Sequence, residues 1–327
     1  MRFQKIIHAA VIFLFVVPSG LWMFRCGKAH RHVLYINSYH RGYAPSDSIL
    51  AGLGRGLSAR ADVELDTFYM DLKRLQDEPS IIRMTEAALS AINRVKPDVL
   101  IVSDDNAVKY LVAPHFRKGP LPVVFCGVNW SSEPYGLPTE TVTGMVEVLP
   151  IEETVKTLRV YYPQLRKVIV ISENSMTERK SMRYTDELYR ALGFVVRTVL
   201  VDNFNQWKRA FLTANANDDA IFLPTNGAIQ GWDDAEAADF VFRNIKKPVF
   251  TCDDFMMRFC VFGLTKVASE QGEWAAQTAL RILNGEAPGS IPSVTNVRIR
   301  ALWNAALAER IRFRPSGALR EQLQTVD

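Results

Sequence analysis

Short apolar runs alternate along the chain with longer segments of helical spacing, and this alternation limits the possible folds more than any other feature. Runs rich in β-branched residues predict eight strands, at His32–Asn37, Val63–Tyr69, Val99–Ser103, Val123–Val128, Val168–Ser172, Val195–Val201, Ala220–Leu223 and Val249–Cys252. Between them, segments such as Pro79–Val95 and Ser175–Leu192 place apolar residues on one helical face. Uninterrupted apolar strands separated by helices indicate an α/β protein with parallel sheets covered on both faces.

A faint internal repeat indicates that this pattern occurs twice. Pro97–Ala107 and Asp218–Ala228 share their order of acidic, apolar and small polar residues. Each is followed by a helical segment and then by a strand that begins with Pro and ends in Cys, Pro122–Cys126 and Pro248–Cys252. The repeat predicts two similar doubly wound lobes.

The length and one proline place the boundary between the lobes. The chain has 327 residues, of which 48% are hydrophobic, and this is enough for about two domains. Pro150 follows a predicted strand at Val142–Glu147 and opens the next helix. We therefore expect the chain to cross from the first lobe to the second within Glu147–Ile151.

The first 29 residues have the pattern of an export signal. They contain no acid and four basic residues, Arg2, Lys5, Arg25 and Lys28, which leaves 35 of the 39 basic residues against 35 acidic ones. The uninterrupted apolar run Ala9–Val17 fits a signal peptide, and Gly27–Ala29 fits a cleavage site. A second interpretation is an uncleaved anchor in the inner membrane, since Leu21–Phe24 extends the apolar run. Both predict a periplasmic protein, and its neutral body argues against a nucleic-acid partner.

The cysteines do not indicate a disulfide framework or a zinc site. Outside the expected signal the chain has Cys126, Cys252 and Cys260, with no Cys-x-x-Cys motif and no histidine at ligand spacing. We expect three buried thiols that pack as small apolar residues, and neither a metal nor a cofactor.

Polar residues follow the predicted strands and form the candidate ligand site. Ligands of open parallel sheets bind at the carboxyl ends of the strands, beside helix N-termini. The candidate ligand-binding residues are Ser38, Tyr39, Ser103, Asp104, Asp105, Asn106, Asn129, Trp130, Glu173, Asn174, Ser175, Thr225, Asn226, Asp253 and Asp254. Each of the small polar residues could also cap a helix or form a turn, so the whole set points to a site more strongly than any single member.

Several segments resemble a known family. The similarity is carried by Val33–His40, Ser103–Ala107, Phe125–Asn129, Gly144–Gly193 and Val267–Gly285, in that order along the chain. Together they resemble the ABC-transporter substrate-binding protein family of the type I periplasmic-binding fold, which includes binders of aromatic amino acids. The resemblance implies two Rossmann-like lobes that close through a hinge on a ligand in a central cleft, and a membrane permease that receives it. The lobes would comprise residues 30–147 with about 267–290, and 148–266 with about 291–327.

The carboxylates of the candidate site suggest a class of ligand. Asp104, Asp105, Glu173, Asp253 and Asp254 would favour an ammonium group or several hydroxyls and would disfavour phosphate. We therefore expect a small amine-bearing or neutral polar ligand, such as an amino acid, with Trp130 or Trp232 stacking on its apolar face.

Two other functional classes are weighed against transport. Relatives of similar sequence are sensory modules, so a membrane histidine kinase or cyclase is an alternative partner to the permease. An enzyme is not expected, because the chain has no G-x-S-x-G motif and His40 has no evident catalytic partner. Gly52–Gly56 lies within a predicted helix and lacks the G-x-G-x-x-G spacing, so it indicates close helix packing instead of a dinucleotide loop.

Overall fold

The computed structural model describes residues 30–326, which form two α/β lobes. The first sheet contains β1 (Arg31–Asn37), β2 (Val63–Tyr69), β3 (Val99–Ser103), β4 (Val123–Asn129), β5 (Val142–Glu147) and β11 (Val294–Thr295). The second contains β6 (Lys167–Glu173), β7 (Val195–Val201), β8 (Ala220–Phe222), β9 (Val249–Thr251), β10 (Phe262–Lys266), β12 (Ile299–Asn304) and β13 (Gln324–Val326). The expected export signal lies outside the described residues.

Helices connect the strands and cover the sheets. They are α1 (Ala44–Leu57), α2 (Glu78–Val95), α3 (Asp104–Ala107), α4 (Ala113–His115), α5 (Ile151–Tyr161), α6 (Met176–Ala191), α7 (Phe204–Asn217), α8 (Asp234–Asn244), α9 (Ala268–Leu283), α10 (Ala305–Arg310) and α11 (Gly317–Gln322). A π-helical turn at Val108–Val112 joins α3 to α4, and 3-10 turns lie at Glu133–Tyr135, Asp254–Phe259 and Pro288–Ser290. Among the described residues, no helix combines the length and the apolar character needed to span a bilayer.

The first five strands of each lobe follow the same order in their sheet, which confirms the predicted fold class. The orders are β2-β1-β3-β4-β5-β11 and β7-β6-β8-β9-β10-β12-β13, and the strands are parallel except where β12 runs antiparallel to β10. The eight strands predicted from apolar runs are all present, each within one residue of its expected bounds. In folds of this kind, ligands bind at the carboxyl ends of the parallel strands. The parallel order places the carboxyl ends of β1 and β3 at one edge of the first sheet, and those of β6 and β8 at one edge of the second.

Alternation along the central strands divides the core of the first lobe into two layers. Val33 and Tyr35 point to the layer that packs against α1 and α9, whereas Leu34 and Ile36 point to the layer formed with α2. All four side chains are buried, as expected for a parallel sheet covered on both faces. The two layers fix the sheet from both sides and thereby position its carboxyl edge.

Glycines allow α1 and α9 to pack closely. A Cβ atom on Gly52 would lie 2.3 Å from the carbonyl oxygen of Ser269, and one on Gly272 would lie 2.0 Å from that of Ile49. Neither position has room for a side chain. Gly52 and also Gly56, whose added Cβ would lie 2.4 Å from the Cβ of Ala276, thus serve helix packing and do not form a dinucleotide loop.

The chain passes between the lobes more than once. It first crosses at residues 148–150, between β5 and α5. It returns to the first lobe at Val267, where α9 packs against α1, and crosses back after β11. Because β11 pairs with β5, the first sheet extends to Thr295. These crossing segments are the connections about which the lobes could rotate.

Candidate functional site

Hydroxyl groups and rings of the two lobes meet at the carboxyl edges of the sheets. Tyr39 and Tyr43 follow β1, and the phenol of Tyr39 lies 3.3 Å from the hydroxyl of Thr177 on α6. The phenol of Tyr43 lies 3.1 Å from the hydroxyl of Thr225, and its ring packs edge-on against Phe255 with 5.8 Å between centroids. The lobes are therefore closed on one another in this structure.

A small cavity remains between the closed lobes. We refer to it as the interlobe cavity; its volume is about 50 Å³. Its polar and aromatic lining comes from both lobes, namely Tyr39, Tyr43, Lys73, Asp104, Asn129, Glu147, Thr177, Glu178, Thr225, Asp253, Phe255 and Lys266. This volume holds a few water molecules, far below the roughly 300 Å³ at which ligand pockets begin. A larger ligand therefore requires the lobes to separate.

Lys73 connects the first lobe to the second beside this cavity. Its ammonium nitrogen lies 2.6 Å from Oε1 of Glu173, and the two side chains are only 4% and 0% exposed. The ammonium also lies 4.8 Å from the ring centroid of Tyr39 and 5.2 Å from that of Tyr43. Although burial alone would lower the pKa of Lys73, the charge of Glu173 raises it well above the ordinary value. Lys73 is therefore a cation at the base of the cleft.

Lys180 makes the reciprocal connection from the second lobe to the first. Its Nζ donates to Oδ1 of Asp105 at 2.6 Å and to the carbonyl oxygens of Asn129 and Ser131 at 2.7 Å each. It also lies 4.8 Å from the ring centroid of Tyr135. Three acceptors satisfy all three protons of an ammonium group. We call this group of contacts the Lys180 latch, since every acceptor belongs to the opposite lobe.

A third lysine joins two carboxylates near the first crossing of the chain. Lys266, at the end of β10, lies 2.7 Å from Oδ1 of Asp253 and 3.1 Å from Oε1 of Glu147. Burial would lower the pKa of this lysine, but Asp253 and Glu147 raise it. Glu147 ends β5 in the first sheet and Lys266 belongs to the second, so this ion pair also spans the lobes.

Asp104 differs from these carboxylates because it forms no salt bridge among the described residues, although the charge of Lys73 acts on it. It follows β3 with φ at +68°, and its Oδ2 atom is buried without a hydrogen-bond partner. Burial, followed by the nearby charge of Glu147, raises the pKa of Asp104 to about 8. Closing the lobes without a cation therefore favours the protonated form of Asp104.

Glu178 is another carboxyl group with a raised pKa, as are Glu147 and Asp253. It lies in the first turn of α6, and its Oε2 accepts a hydrogen bond from the hydroxyl of Ser172 at 2.7 Å. Burial, followed by the charge of Glu173, raises its pKa to about 7. Together with Asp104, Glu178 leaves the interlobe cavity with more acidic than basic groups.

The structure places five of the fifteen predicted ligand residues against the interlobe cavity. These are Tyr39, Asp104, Asn129, Thr225 and Asp253. Two others lie in the interlobe ion pairs, since Asp105 binds Lys180 and Glu173 binds Lys73. Asp254 pairs with Arg300 of the same lobe.

Other predicted residues hold loops and helices in place. The hydroxyl of Ser38 donates to the carbonyl of Ser103 at 2.6 Å, and the hydroxyl of Ser103 accepts from Tyr35 at 2.8 Å. Asn106 donates to the carbonyl of Leu72, and Ser175 caps α6 by accepting from the backbone N–H of Glu178. These contacts are of the capping and turn-making kind that the sequence left open.

The remaining predicted residues lie in a wider groove and at the lobe boundary. Asn174, Asn226 and Trp232 line an open groove of about 740 Å³ that shares Tyr43 and Lys73 with the interlobe cavity. The groove therefore adjoins the interlobe cavity.

Trp130 stacks on Tyr184 of the opposite lobe, with 5.9 Å between centroids and 5° between planes. Trp232 packs against Trp207 with 4.9 Å between centroids. Neither tryptophan lines the interlobe cavity.

Sequence reasoning missed the three lysines and several other lining residues. Lys73 follows β2, a strand end that was not among the loops considered, and Lys266 ends a strand that was not predicted. Tyr43, Glu147, Thr177 and Glu178 were also missed. Extending the search to the ends of every strand would have found Lys73 and Glu147, but not Lys180, which lies inside a helix.

Comparisons with known proteins agree with this architecture. The profile of the family described as "ABC transporter substrate binding protein" matches residues 45–318, well over half of the chain. A conserved domain protein from Vibrio cholerae is 17% identical, with a TM-score of 0.73 over 91% of this chain and 99% of that one.

Two further solved structures show the same fold. An ABC domain from Streptococcus pneumonia in complex with L-Trp is 16% identical, with a TM-score of 0.72 over 91% of this chain and 100% of that one. A periplasmic ribose ABC transporter protein from Conexibacter woesei is 17% identical, with a TM-score of 0.56 over 90% and 97%. No curated protein matches the chain. The chain belongs to the ABC transporter substrate-binding protein family, a family of binding proteins and not of enzymes.

Proposed function

We propose that this protein captures a small, amine-bearing solute between its lobes in the periplasm and presents it to an ABC permease. The observation that carries the ligand class is the buried, unpartnered carboxylate oxygen of Asp104 at the interlobe cavity. An ammonium group is the ligand chemistry that such an oxygen binds most strongly. The permease follows from the family to which the chain belongs.

The balance of charge around the cavity supports a cationic group. The carboxyl groups of Asp104, Asp105, Glu147, Glu173, Glu178 and Asp253 surround the closed interface, whereas the ammonium groups are those of Lys73, Lys180 and Lys266. A carboxylate removed from water is costly unless a cation or hydrogen-bond donors compensate it. A ligand ammonium beside Asp104 would reduce this excess of negative charge, whereas an anionic ligand would increase it.

The remaining lining suits the rest of a small polar molecule. Thr177, Thr225 and Asn129 offer hydroxyl and amide groups, and the rings of Tyr43 and Phe255 form an apolar wall. Because these side chains come from both lobes, a ligand that contacts them stabilises the closed form relative to the open one. Closure would then be the signal that the permease recognises.

Calorimetry on the purified protein tests the ligand class. A panel of amino acids and amines, each paired with its deaminated analogue, should bind only where the amine is present. Asp104→Asn keeps the shape of the side chain but removes the charge, and should weaken binding of the amine by about 10- to 100-fold. Asp254→Asn is the matched control, because Asp254 pairs with Arg300 and does not line the cavity. Binding of anions alone, or equal affinity in the wild type and in Asp104→Asn, would refute the proposal.

A further inference from the structure

A basic groove lies beside the interlobe cavity and shares no lining residue with it. Its volume is about 800 Å³, and it runs between α6 of the second lobe and the α3–α4 segment and Glu133–Tyr135 turn of the first. Four exposed cations line it: Lys109 and Arg117 from the first lobe, and Arg179 and Arg183 from the second. Each lobe therefore contributes positive charge to one wall.

These cations have no carboxylate partner among the described residues. The ammonium of Lys109 lies 4.8 Å from the ring centroid of Tyr110, and Arg179 donates to the side-chain oxygen of Asn174 at 2.5 Å. Glu187 is the one acidic residue in the lining. By contrast, Arg298 and Arg300, from the basic C-terminal part of the chain, form ion pairs with Glu273 and Asp254. The groove thus has a local excess of positive charge on a nearly neutral protein.

Closure of the lobes assembles this groove. Lys180 connects its two walls through Asp105, and the stacked rings of Trp130 and Tyr184 lie at the same boundary. Closing brings the cations of one lobe towards those of the other, which is unfavourable for like charges. An anion bound between the walls would remove this repulsion and would therefore bind the closed form more tightly than the open form.

The shape of the groove favours a protruding segment of polypeptide. The lining residues of α6 extend from Met176 to Glu187, about 16 Å along the helix axis. This length accommodates roughly five residues of extended chain. Tyr135 and Tyr184 add aromatic surface between the cations. A flat lipid surface would contact only the rims of such a concave groove.

We infer that the basic groove docks an acidic, protruding segment of a partner protein when the lobes are closed. This inference rests on the proposed function, in which a membrane partner recognises closure. The groove supplies a specific surface for that recognition, separate from the residues that line the interlobe cavity.

The test is fluorescence anisotropy with the full protein and a labelled, glutamate-rich peptide; the same peptide with glutamine in place of glutamate is the control. The glutamate peptide should bind, and binding should weaken as salt is added, because exposed charges are screened.

Lys109→Gln combined with Arg183→Gln should weaken binding by about tenfold, as expected for two exposed charges. Arg94→Gln combined with Arg209→Gln also removes one exposed cation from each lobe, but neither residue lines the groove, so binding should persist.

Three results would overturn the inference. One is equal binding of the glutamate and glutamine peptides. Another is tighter binding to phosphatidylglycerol vesicles than to the peptide, with the same dependence on Lys109 and Arg183. The third is complete displacement of the peptide by inorganic phosphate at comparable concentration, which would indicate a small-anion site. Calorimetry of the amine ligand on the wild-type protein separates the two proposals, because ligand binding without any binding of the glutamate peptide refutes only the docking inference.

Discussion

Replacing Lys180 with methionine should shift the protein from its closed form towards an open one. Methionine keeps much of the length and apolar stem of lysine but removes the ammonium group. In the closed form, that group satisfies Asp105 and two backbone carbonyl oxygens of the opposite lobe. In an open form, both Lys180 and Asp105 would be hydrated, so the substitution acts on closure more than on folding.

The magnitude follows from burial at the latch. The side chains of Lys180 and Asp105 are 13% and 0% exposed, and removing one partner of a buried pair costs about 3–5 kcal/mol. The lower end applies here, because Asp105 still accepts hydrogen bonds from the Tyr135 hydroxyl at 2.8 Å and from the Asn129 side chain at 2.7 Å. About 3 kcal/mol corresponds to a change of about 150-fold in the ratio of closed to open protein.

Small-angle X-ray scattering of the ligand-free protein measures this shift as an increase in the radius of gyration. Lys156→Met is the matched control, since Lys156 pairs with Glu152 on the surface of a single lobe. Combining Lys180→Met with Asp105→Asn should recover part of the closed population, because the unpaired buried charge is then removed. If Lys180→Met leaves both the scattering profile and the ligand affinity unchanged, the latch does not hold the lobes together.

Two further predictions concern pH and helix packing. The pKa values of Asp104 and Glu178 are raised in the closed form to about 8 and about 7, so ionising them opposes closure. Raising the pH from 5 to 8 should therefore increase the radius of gyration of the ligand-free protein in scattering measurements. Asp104→Asn should reduce this increase. A protein that stays equally compact at every pH would contradict the prediction. Gly272→Ala should lower the thermal midpoint, because its Cβ would lie 2.0 Å from the carbonyl oxygen of Ile49, at a cost of about 1–3 kcal/mol. Gly54→Ala, where a Cβ meets open space, should not lower it.

Much of the fold could be predicted from the sequence because parallel sheets have a strong local pattern. Runs such as Val99–Val102 are apolar throughout and buried on both faces, so their position is clear without knowledge of the partner strands. The C-terminal strands β12 and β13 were not predicted. Their residues are partly exposed and β12 runs antiparallel to β10, so they lack that continuous apolar pattern.

The candidate site could be predicted only in part, since its charges are paired across the lobes. Topology places Asp105 and Glu173 at strand ends, and the sequence alone therefore indicates a cleft rich in carboxylates. It does not indicate which of the 39 basic residues reach them. Lys180 lies 75 residues from Asp105 in sequence, and only the closed packing of the lobes brings the two together. Once these interlobe ion pairs form, Asp104 is the predicted carboxylate at the cavity with an oxygen, Oδ2, that has no hydrogen-bond partner.

The most direct test of the account is a crystal structure of the protein with an amine ligand identified by calorimetry. The account predicts that the ligand lies between the two lobes, with its ammonium nitrogen about 3 Å from Oδ2 of Asp104. A ligand held by one lobe alone, or an ammonium group that does not contact Asp104, would contradict it.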